Sequence, residues 1–507
     1  MFLKRFALLA ASAFLALPAL AQYQDAAPQS EAGKVVLTLE DALKIALSEN
    51  TSVKVADMEI ERQQYARKGS YAALLPQVSA SGMYSYALKK QKVYFGSDKQ
   101  DDDGKGSSGG GGMAGMMASL MNPIMYYIEQ LYAGTGVPFV PYVAPNQGQQ
   151  GGGGSSEPME MGRTHSVTFG LSAQMPLVNF QLWESLRLTG DQVELAVEQA
   201  RESRLGTVAS VKQAFYGILF AKEAYKVYNS VYENAVENFR LTEMRYNAAR
   251  ASELDLTRAK ANVAAAIPNL YNAENSVELA LWQLKAVMGV DLDRNIDVAG
   301  TLEEYAGQMF SDIAEGEGAS LDGNSQLRQL AQQAEMLSRQ IRMQQYAYLP
   351  TLALTFSYSY LTQSDIFNLS QWKWFPSSTI GLSLSIPIFS GGQRYHAIKQ
   401  TRVQADELDL QRENAERQLR IGIRQSLGTM DTAMRTYDAS KEALTSAEKA
   451  YDIAVKSYQL GKSTLTDLNN VELTLTQSRL AVSQAIYNFV IAKAGLEQTL
   501  GYDFNAN

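Results

Sequence analysis

The chain has 507 residues, 46% of them hydrophobic, with no cysteine and a formal charge of −8. That hydrophobic fraction is ordinary for a folded protein and too low for a polytopic helical membrane protein. The missing cysteine excludes disulfides, thiol catalysis, thiolate metal sites and a lipidated N-terminal cysteine. The acidic balance argues against nucleic acid as a partner.

The N-terminus reads as a secretory signal over residues 1–21. Lys4 and Arg5 supply its charged region and Phe6 to Leu17 its apolar region. Ala19-Leu20-Ala21 supplies the cleavage site, so the mature chain is expected to begin at Gln22. The apolar region falls short of the roughly 20 residues that a spanning helix needs.

The rest reads as an internal duplication, with a first repeat over 22–300 and a second over 301–507. Asn50-Thr51-Ser52-Val53 matches Asn324-Ser325-Gln326-Leu327, and Leu75-Pro76 matches Leu349-Pro350. Gly170-Leu171-Ser172 with Pro176 matches Gly381-Leu382-Ser383 with Pro387. Tyr246 and Asp255 match Tyr458 and Asp467, and Gly289 matches Gly501. Each copy is expected to run helix, strand, strand, long helix, turn, helix. The stretch from Pro76 to Gly170 is far longer than that from Pro350 to Gly381. The first copy therefore carries an insertion, within about 90–163. Its glycine runs Gly109–Gly112 and Gly151–Gly154 suit a loop. Its middle, Met113–Tyr142, is rich in Met, Tyr, Ile and Val and suits either local packing or a cap over a pore mouth.

Each copy contains two runs of strict alternation. Leu352, Leu354, Phe356, Tyr358 and Tyr360 oppose Thr351, Thr355, Ser357 and Ser359. Ile380, Leu382, Leu384 and Ile386 oppose Thr379, Gly381, Ser383 and Ser385. The first copy has Val78, Ala80, Tyr84, Tyr86 and Leu88, then Val167, Phe169, Leu171, Ala173 and Met175. The runs are about 9–12 residues long, near what a tilted strand needs to cross a bilayer. Their polar faces carry Ser and Thr with almost no charge, unlike a water-facing soluble sheet. Trp372, Trp374, Phe375, Phe180, Trp183 and Phe389 cluster near the strand ends, as in interfacial girdles. Four strands cannot close a barrel and an open edge cannot face lipid, so spanning strands would require several chains to share one barrel.

Between the strand pairs, Glu184–Asn247 and Gln393–Gln459 read as single helices of roughly 100 Å. Their apolar residues recur at three and four, as in Val208, Val211, Phe215, Ile218 and Leu219, so each needs a neighbouring helix. Each ends in a tight turn. Gly461 suits the left-handed residue that terminates a helix. Ser252-x-x-Asp255 and Thr464-x-x-Asp467 read as capping boxes that start the next helix.

The combination resembles the TolC-like outer-membrane efflux family. Leu39-x-x-Ala42-x-x-x-Ala46-Leu47-x-x-Asn50, Leu75-Pro76, Pro387-Ile388-Phe389 and the two turn motifs carry the resemblance, which covers essentially all of the mature chain. It implies an α+β membrane protein with long antiparallel coiled-coil hairpins and four transmembrane strands per chain. A homotrimer would share a twelve-stranded β-barrel and a periplasmic α-barrel, with an equatorial zone near Gly289–Gly323. The implied function is a passive exit duct in the outer membrane, extending into the periplasm. It would serve a tripartite efflux or type I secretion system, partnered by a periplasmic adaptor, an inner-membrane pump and outer-membrane lipid. By motif position, Tyr458 and Asp255 would close the periplasmic entrance and Asp467 would form a ring around it. The tips Arg245, Tyr246, Ala249, Ser252, Gly461 and Thr464 would meet the adaptor. The chain departs from the family pattern at Asn470, where a second ring aspartate is expected, at Ser463, where a latch arginine is expected, and at Ala249, where a glycine is expected.

The two histidines, His165 and His396, stand in no metal-ligand pattern, and no phosphate-binding loop or nucleophile motif is present. The expectation is a non-enzyme without cofactor or metal. A trimeric surface adhesin and a periplasmic coiled-coil scaffold are the competing readings.

Overall fold

The computed structural model describes residues 35–93, 159–309 and 320–502. The signal segment and the central part of the insertion, including Met113–Tyr142, lie outside the described residues. These residues fall in two compact units that interleave along the chain. The first comprises the chain up to Lys68, Glu184–Arg342 and Tyr395 onwards; the second comprises Gly69–Trp183 and Met343–Arg394.

The first unit is built from long helices. β1 (Val35–Leu37) and α1 (Leu39–Glu49) lead into α2 (Thr51–Tyr71). α3 (Phe180–Asn247) has 68 residues and α4 (Glu253–Met288) has 36. After β6 (Ile296–Val298) comes α5 (Ser325–Tyr346). α6 (Gln393–Gln459) and α7 (Leu465–Leu500), of 67 and 36 residues, then repeat the lengths of α3 and α4. Helices of this length cannot hold themselves by propensity; they persist because an apolar stripe is buried against neighbours. The main core lies midway along the long helices. Val211, Phe215, Ile218 and Leu219 of α3 and Met430 and Ala433 of α6 pack there with Leu284 and Met288 of α4 and Ile486 and Phe489 of α7. Leu43, Ile296 and Leu302 complete the cluster. β1 and β6 pair in parallel beside it.

At this level each copy closes on its own end. Asn50 caps α2 by accepting the amides of Ser52 and Val53, and its Nδ2 donates to the Val287 carbonyl at 2.6 Å. Asn324 accepts the Leu327 amide, and its Nδ2 donates to the Thr499 carbonyl at 2.7 Å. α4 and α7 end on Gly289 and Gly501, both left-handed, with φ of 73° and 74°. A Cβ on Gly289 would lie 2.7 Å from the Glu49 carbonyl oxygen, and one on Gly323 would lie 2.6 Å from that of Leu500. Glycine is therefore required twice over at Gly289, by its backbone angle and by the neighbouring chain.

The second unit holds an antiparallel sheet of β2 (Gln77–Tyr86), β5 (His165–Val178), β7 (Thr351–Ser364) and β8 (Trp374–Ser385), in the order β2-β5-β7-β8. Ala173 pairs with Val78 and with Phe356, and Phe356 pairs with Ile380, so one face carries an apolar row across all four strands. The row Ser79, Ser172, Ser357 and Thr379 lies on the other face, where the Ser79 and Ser172 hydroxyls meet at 2.8 Å. Much of the apolar face is uncovered: Ile380, Leu382 and Leu384 are 72%, 67% and 62% exposed, whereas Val167, toward the insertion end, is buried. Strands β5 and β7 have 14 residues each, longer than alternation alone suggested. Their ladder continues past a register shift between Pro176 and Val178. Trp374 and Phe375 open β8, and Trp374 stacks on Phe169 at 5.9 Å.

The insertion departs from this sheet through a paired stem, β3 (Gln91–Val93) with β4 (Met159–Met161). Asp365, after β7, ties the stem down. It accepts from Lys90 Nζ at 2.8 Å, from Arg163 Nη1 at 2.5 Å and from the Thr164 amide and hydroxyl, both at 3.1 Å. Lys90 foremost, then Arg163, holds the Asp365 carboxyl well below the usual carboxylate range.

Gly289→Ala should cost about 2–4 kcal/mol, since it adds a left-handed alanine and a backbone collision. Gly422→Ala, in the middle of α6 with open space around it, should be neutral or stabilising by up to about 1 kcal/mol. Thermal unfolding of the two variants side by side in detergent distinguishes them. Equal melting temperatures would contradict the clamp.

Candidate functional site: the paired hairpin tips

Both turns between long helices are built alike, and both belong to the first unit. At the first, Ala249 N–H donates to Tyr246 O and Arg250 N–H to Arg245 O, at 2.8 and 2.7 Å. At the second, Gly461 N–H donates to Tyr458 O and Lys462 N–H to Ser457 O, at 3.0 and 2.8 Å. This double closure requires a left-handed residue after the helix. Gly461 meets the requirement at φ 74°. Ala249 meets it at φ 59° and is the one non-glycine residue with positive φ among the described residues. The departure from glycine that the sequence presents at Ala249 thus appears as local backbone strain.

Each following helix begins with a reciprocal cap. Ser252 Oγ accepts the Asp255 amide at 3.1 Å and donates to the Asp255 carboxylate at 2.7 Å. Thr464 Oγ1 accepts the Asp467 amide at 3.2 Å and donates to the Asp467 carboxylate at 2.7 Å. The Thr464 hydroxyl, then its amide, draws the Asp467 carboxyl below its ordinary value, so its charge survives mild acid. Asp467 and Asn470 are both exposed, three residues apart on one side of α7. Tyr246 is 40% exposed at the end of α3.

Tyr458 is the buried member of the group, at 7% exposure. Its hydroxyl lies 2.7 Å from the Thr242 hydroxyl. Thr242 already donates to the Asn238 carbonyl at 2.7 Å, so Tyr458 donates to Thr242. The Arg245 guanidinium covers the Tyr458 ring at 4.7 Å and donates to the Gln459 carbonyl at 2.8 Å. The two hairpins are therefore joined just above their tips by Thr242, Arg245 and Tyr458, over a small core of Ala259, Leu465 and Leu468. The resemblance pairs Tyr458 with Asp255; within the described chain Tyr458 is bonded to Thr242 and Asp255 to Ser252. Ser463, at the expected latch arginine, leaves its hydroxyl oxygen buried without a hydrogen-bond partner.

Sequence reasoning missed Thr242, one of three threonines on α3, where no spacing singles it out. It also missed a buried charge network farther along α3. Glu184 and Asp191, 2% and 5% exposed, face Arg339 of α5; Arg342 reaches Glu184 at 3.3 Å and Arg339 pairs with Asp191. Burial pushes the Asp191 carboxyl up, opposed by Arg339. Among the described residues no cluster of three or more His, Cys, Asp or Glu could hold a metal ion. No described helix is long and apolar enough to cross a membrane.

The chain as a whole is similar to known proteins. The family model described as outer membrane efflux protein matches residues 145–290 and 318–502. The chain is 23% identical over 354 residues to the outer membrane protein TolC of Escherichia coli, covering 67% of this chain and 70% of the relative. It is 24% identical over 321 residues to the cobalt-zinc-cadmium resistance protein CzcC of Cupriavidus metallidurans, covering 60% and 72%. Among solved structures, the CmeC outer membrane channel of Campylobacter jejuni superposes with a TM-score of 0.62 at 16% identity, covering 94% of this chain and 90% of that one. The VceC outer membrane protein of Vibrio cholerae gives 0.62 at 16% identity, covering 92% and 97%.

Ala249→Gly should stabilise the protein by about 0.5–1 kcal/mol, because relief of the left-handed strain exceeds the entropy glycine adds to the unfolded chain. Tyr458→Phe should cost about 1 kcal/mol, for one neutral hydrogen bond. Melting temperatures of the two variants should therefore move in opposite directions from the parent. A lower value for Ala249→Gly would remove the strain argument.

Proposed function

The chain belongs to the outer membrane efflux protein family, and on that premise we propose that it is the passive exit duct of a tripartite efflux or type I secretion system. Its place is the outer membrane, with long helices extending into the periplasm. One observation carries the proposal: a four-stranded sheet with a largely uncovered apolar face, an uncharged polar face, and free edges at β2 and β8. Lipid tolerates no unpaired strand edge. Three chains would join β8 of one to β2 of the next and close a twelve-stranded barrel, with the apolar face to lipid and the hydroxyl face to a water-filled lumen.

The domain reading follows from the same premise: two copies of one unit, 22–300 and 301–507, with the insertion of about 90–163 on the outer side. The matched lengths of α3 and α6, and of α4 and α7, support it. So do the duplicated clamps at Asn50 and Asn324.

The hairpin tips would form the periplasmic entrance. Asp255, Tyr458, Asp467 and Asn470 would line or close it, with Tyr458 held in place by Thr242 and Arg245. Arg245, Tyr246, Ala249, Ser252, Gly461 and Thr464 would meet a periplasmic adaptor, which couples the duct to an inner-membrane pump. The pump supplies the energy, and the duct performs no chemistry. A surface adhesin is disfavoured because both strand pairs are internal to the chain. A soluble scaffold is disfavoured because a soluble protein would expose the apolar sheet face to water.

Two measurements test the proposal. The detergent-corrected mass of protein from the outer-membrane fraction should be that of three chains, and a monomer soluble without detergent would refute it. In planar bilayers under a salt gradient, Asp467→Asn should shift the reversal potential toward lower cation preference, because three copies of a charge around one axis favour cations. An unchanged potential would remove Asp467 from the entrance.

A further inference from the structure

A cavity of about 230 Å³ opens in the first unit between α3, α4 and α7. It lies a short way above the tips, since Glu472 is about two turns into α7. Its lining is unusual for a helical seam. Glu472 lines it while only 8% exposed. Among the described residues its carboxylate has one hydrogen bond, from Asn234 Nδ2 at 3.0 Å, and no ion pair. Around it stand Asn238 of α3, Asn262 of α4 and Asn469 of α7, with Tyr228 and Ala266 forming apolar wall.

A buried carboxylate that lacks a counter-charge is costly, and the cost is met by a proton or by a cation. Burial does push the Glu472 carboxyl up, against the Asn234 bond. A proton would satisfy Glu472 alone, whereas an ammonium group has N–H donors for the carboxylate and for the polar side chains of Asn238, Asn262 and Asn469 that line the same cavity. A divalent metal ion does not suit the site, which offers one carboxylate where such ions draw on several. The alanine and tyrosine wall accommodates a short hydrocarbon body, and a tyrosine face attracts a cation as well.

We propose that this cavity binds a small alkylammonium ion, with the ammonium on Glu472 and the alkyl chain along the alanine and tyrosine wall. The ligand would bridge α3, α4 and α7 and thereby tie the two hairpins together above the tips. The site is complete within one chain, so it does not depend on the duct reading.

The test is isothermal titration of the full-length, detergent-purified protein with n-butylammonium chloride at constant ionic strength. Saturable binding at one site per chain is expected. Glu472→Gln keeps the shape and removes the charge, and it should weaken binding at least about tenfold. Ala266→Met keeps the carboxylate and narrows the cavity, and it should weaken binding as much, whereas Glu448→Gln, at an exposed carboxylate outside the cavity, should leave it unchanged. Non-saturating heats overturn the proposal, as does equal affinity in Glu472→Gln or in Ala266→Met. Displacement of butylammonium by equimolar potassium would mean an inorganic cation site and would overturn it too.

Discussion

The structure depends on a helix-end clamp made twice. An asparagine at the start of one helix spends its oxygen on that helix's own first amides and its nitrogen on the last carbonyls of another helix. That other helix ends on a left-handed glycine, which allows the two backbones to approach to contact. Asn50 with Gly289 does this in the first copy, and Asn324 with Gly501 in the second. The clamps tie α2 to the end of α4 and α5 to the end of α7, next to the largest apolar cluster, and so fix the ends of the two 36-residue helices that run to the tips.

The tips are much less well insulated. They rest on four buried residues, one hydroxyl pair and one cation over a ring. Stability is thus graded along the helices, high at the central core and low at the ends. Local opening draws on such low-stability ends, which suits the entrance role proposed for the tips. Strain at Ala249 adds to it: the first tip sits in a conformation that glycine adopts freely and alanine resists.

Much of this was legible in the sequence because local rules govern it. Alternation gave the strands and their two faces, since side-chain direction follows backbone pleat. Ser252-x-x-Asp255 and Thr464-x-x-Asp467 gave the helix starts, since a cap and its reciprocal partner sit three residues apart. The duplication gave the order of elements. What stayed hidden is long-range. Asn50 and Gly289 could each be matched to a counterpart in the other copy, yet nothing in the spacing says that they meet. Thr242 bonds the Asn238 carbonyl of its own helix, which gives no hint that Tyr458 meets it from another. Glu472 reads as one more exposed glutamate on a helix, and its burial arises only when α3 and α4 close over it. Leu88 and Ile386 erred in the other direction, since apolar alternation runs past the last ladder hydrogen bond. The tyrosine–aspartate pairing implied by resemblance concerns the tips, where three of the expected residues are replaced.

The hydroxyl face of the sheet bears on traffic. Across Ser79, Ser172, Ser357 and Thr379, and across Ser81, Gly170, Ser359 and Ser377 beside them, there is no charge, no ring and no large aliphatic group. Such a wall offers a passing solute weak, interchangeable hydrogen bonds, much like those of water. The next row on the same face, Met83, Thr168, Leu361 and Phe375, is mostly apolar and again uncharged. In the proposed barrel a solute crossing these rows would meet no charge, so discrimination by sign would fall to the far end of the duct.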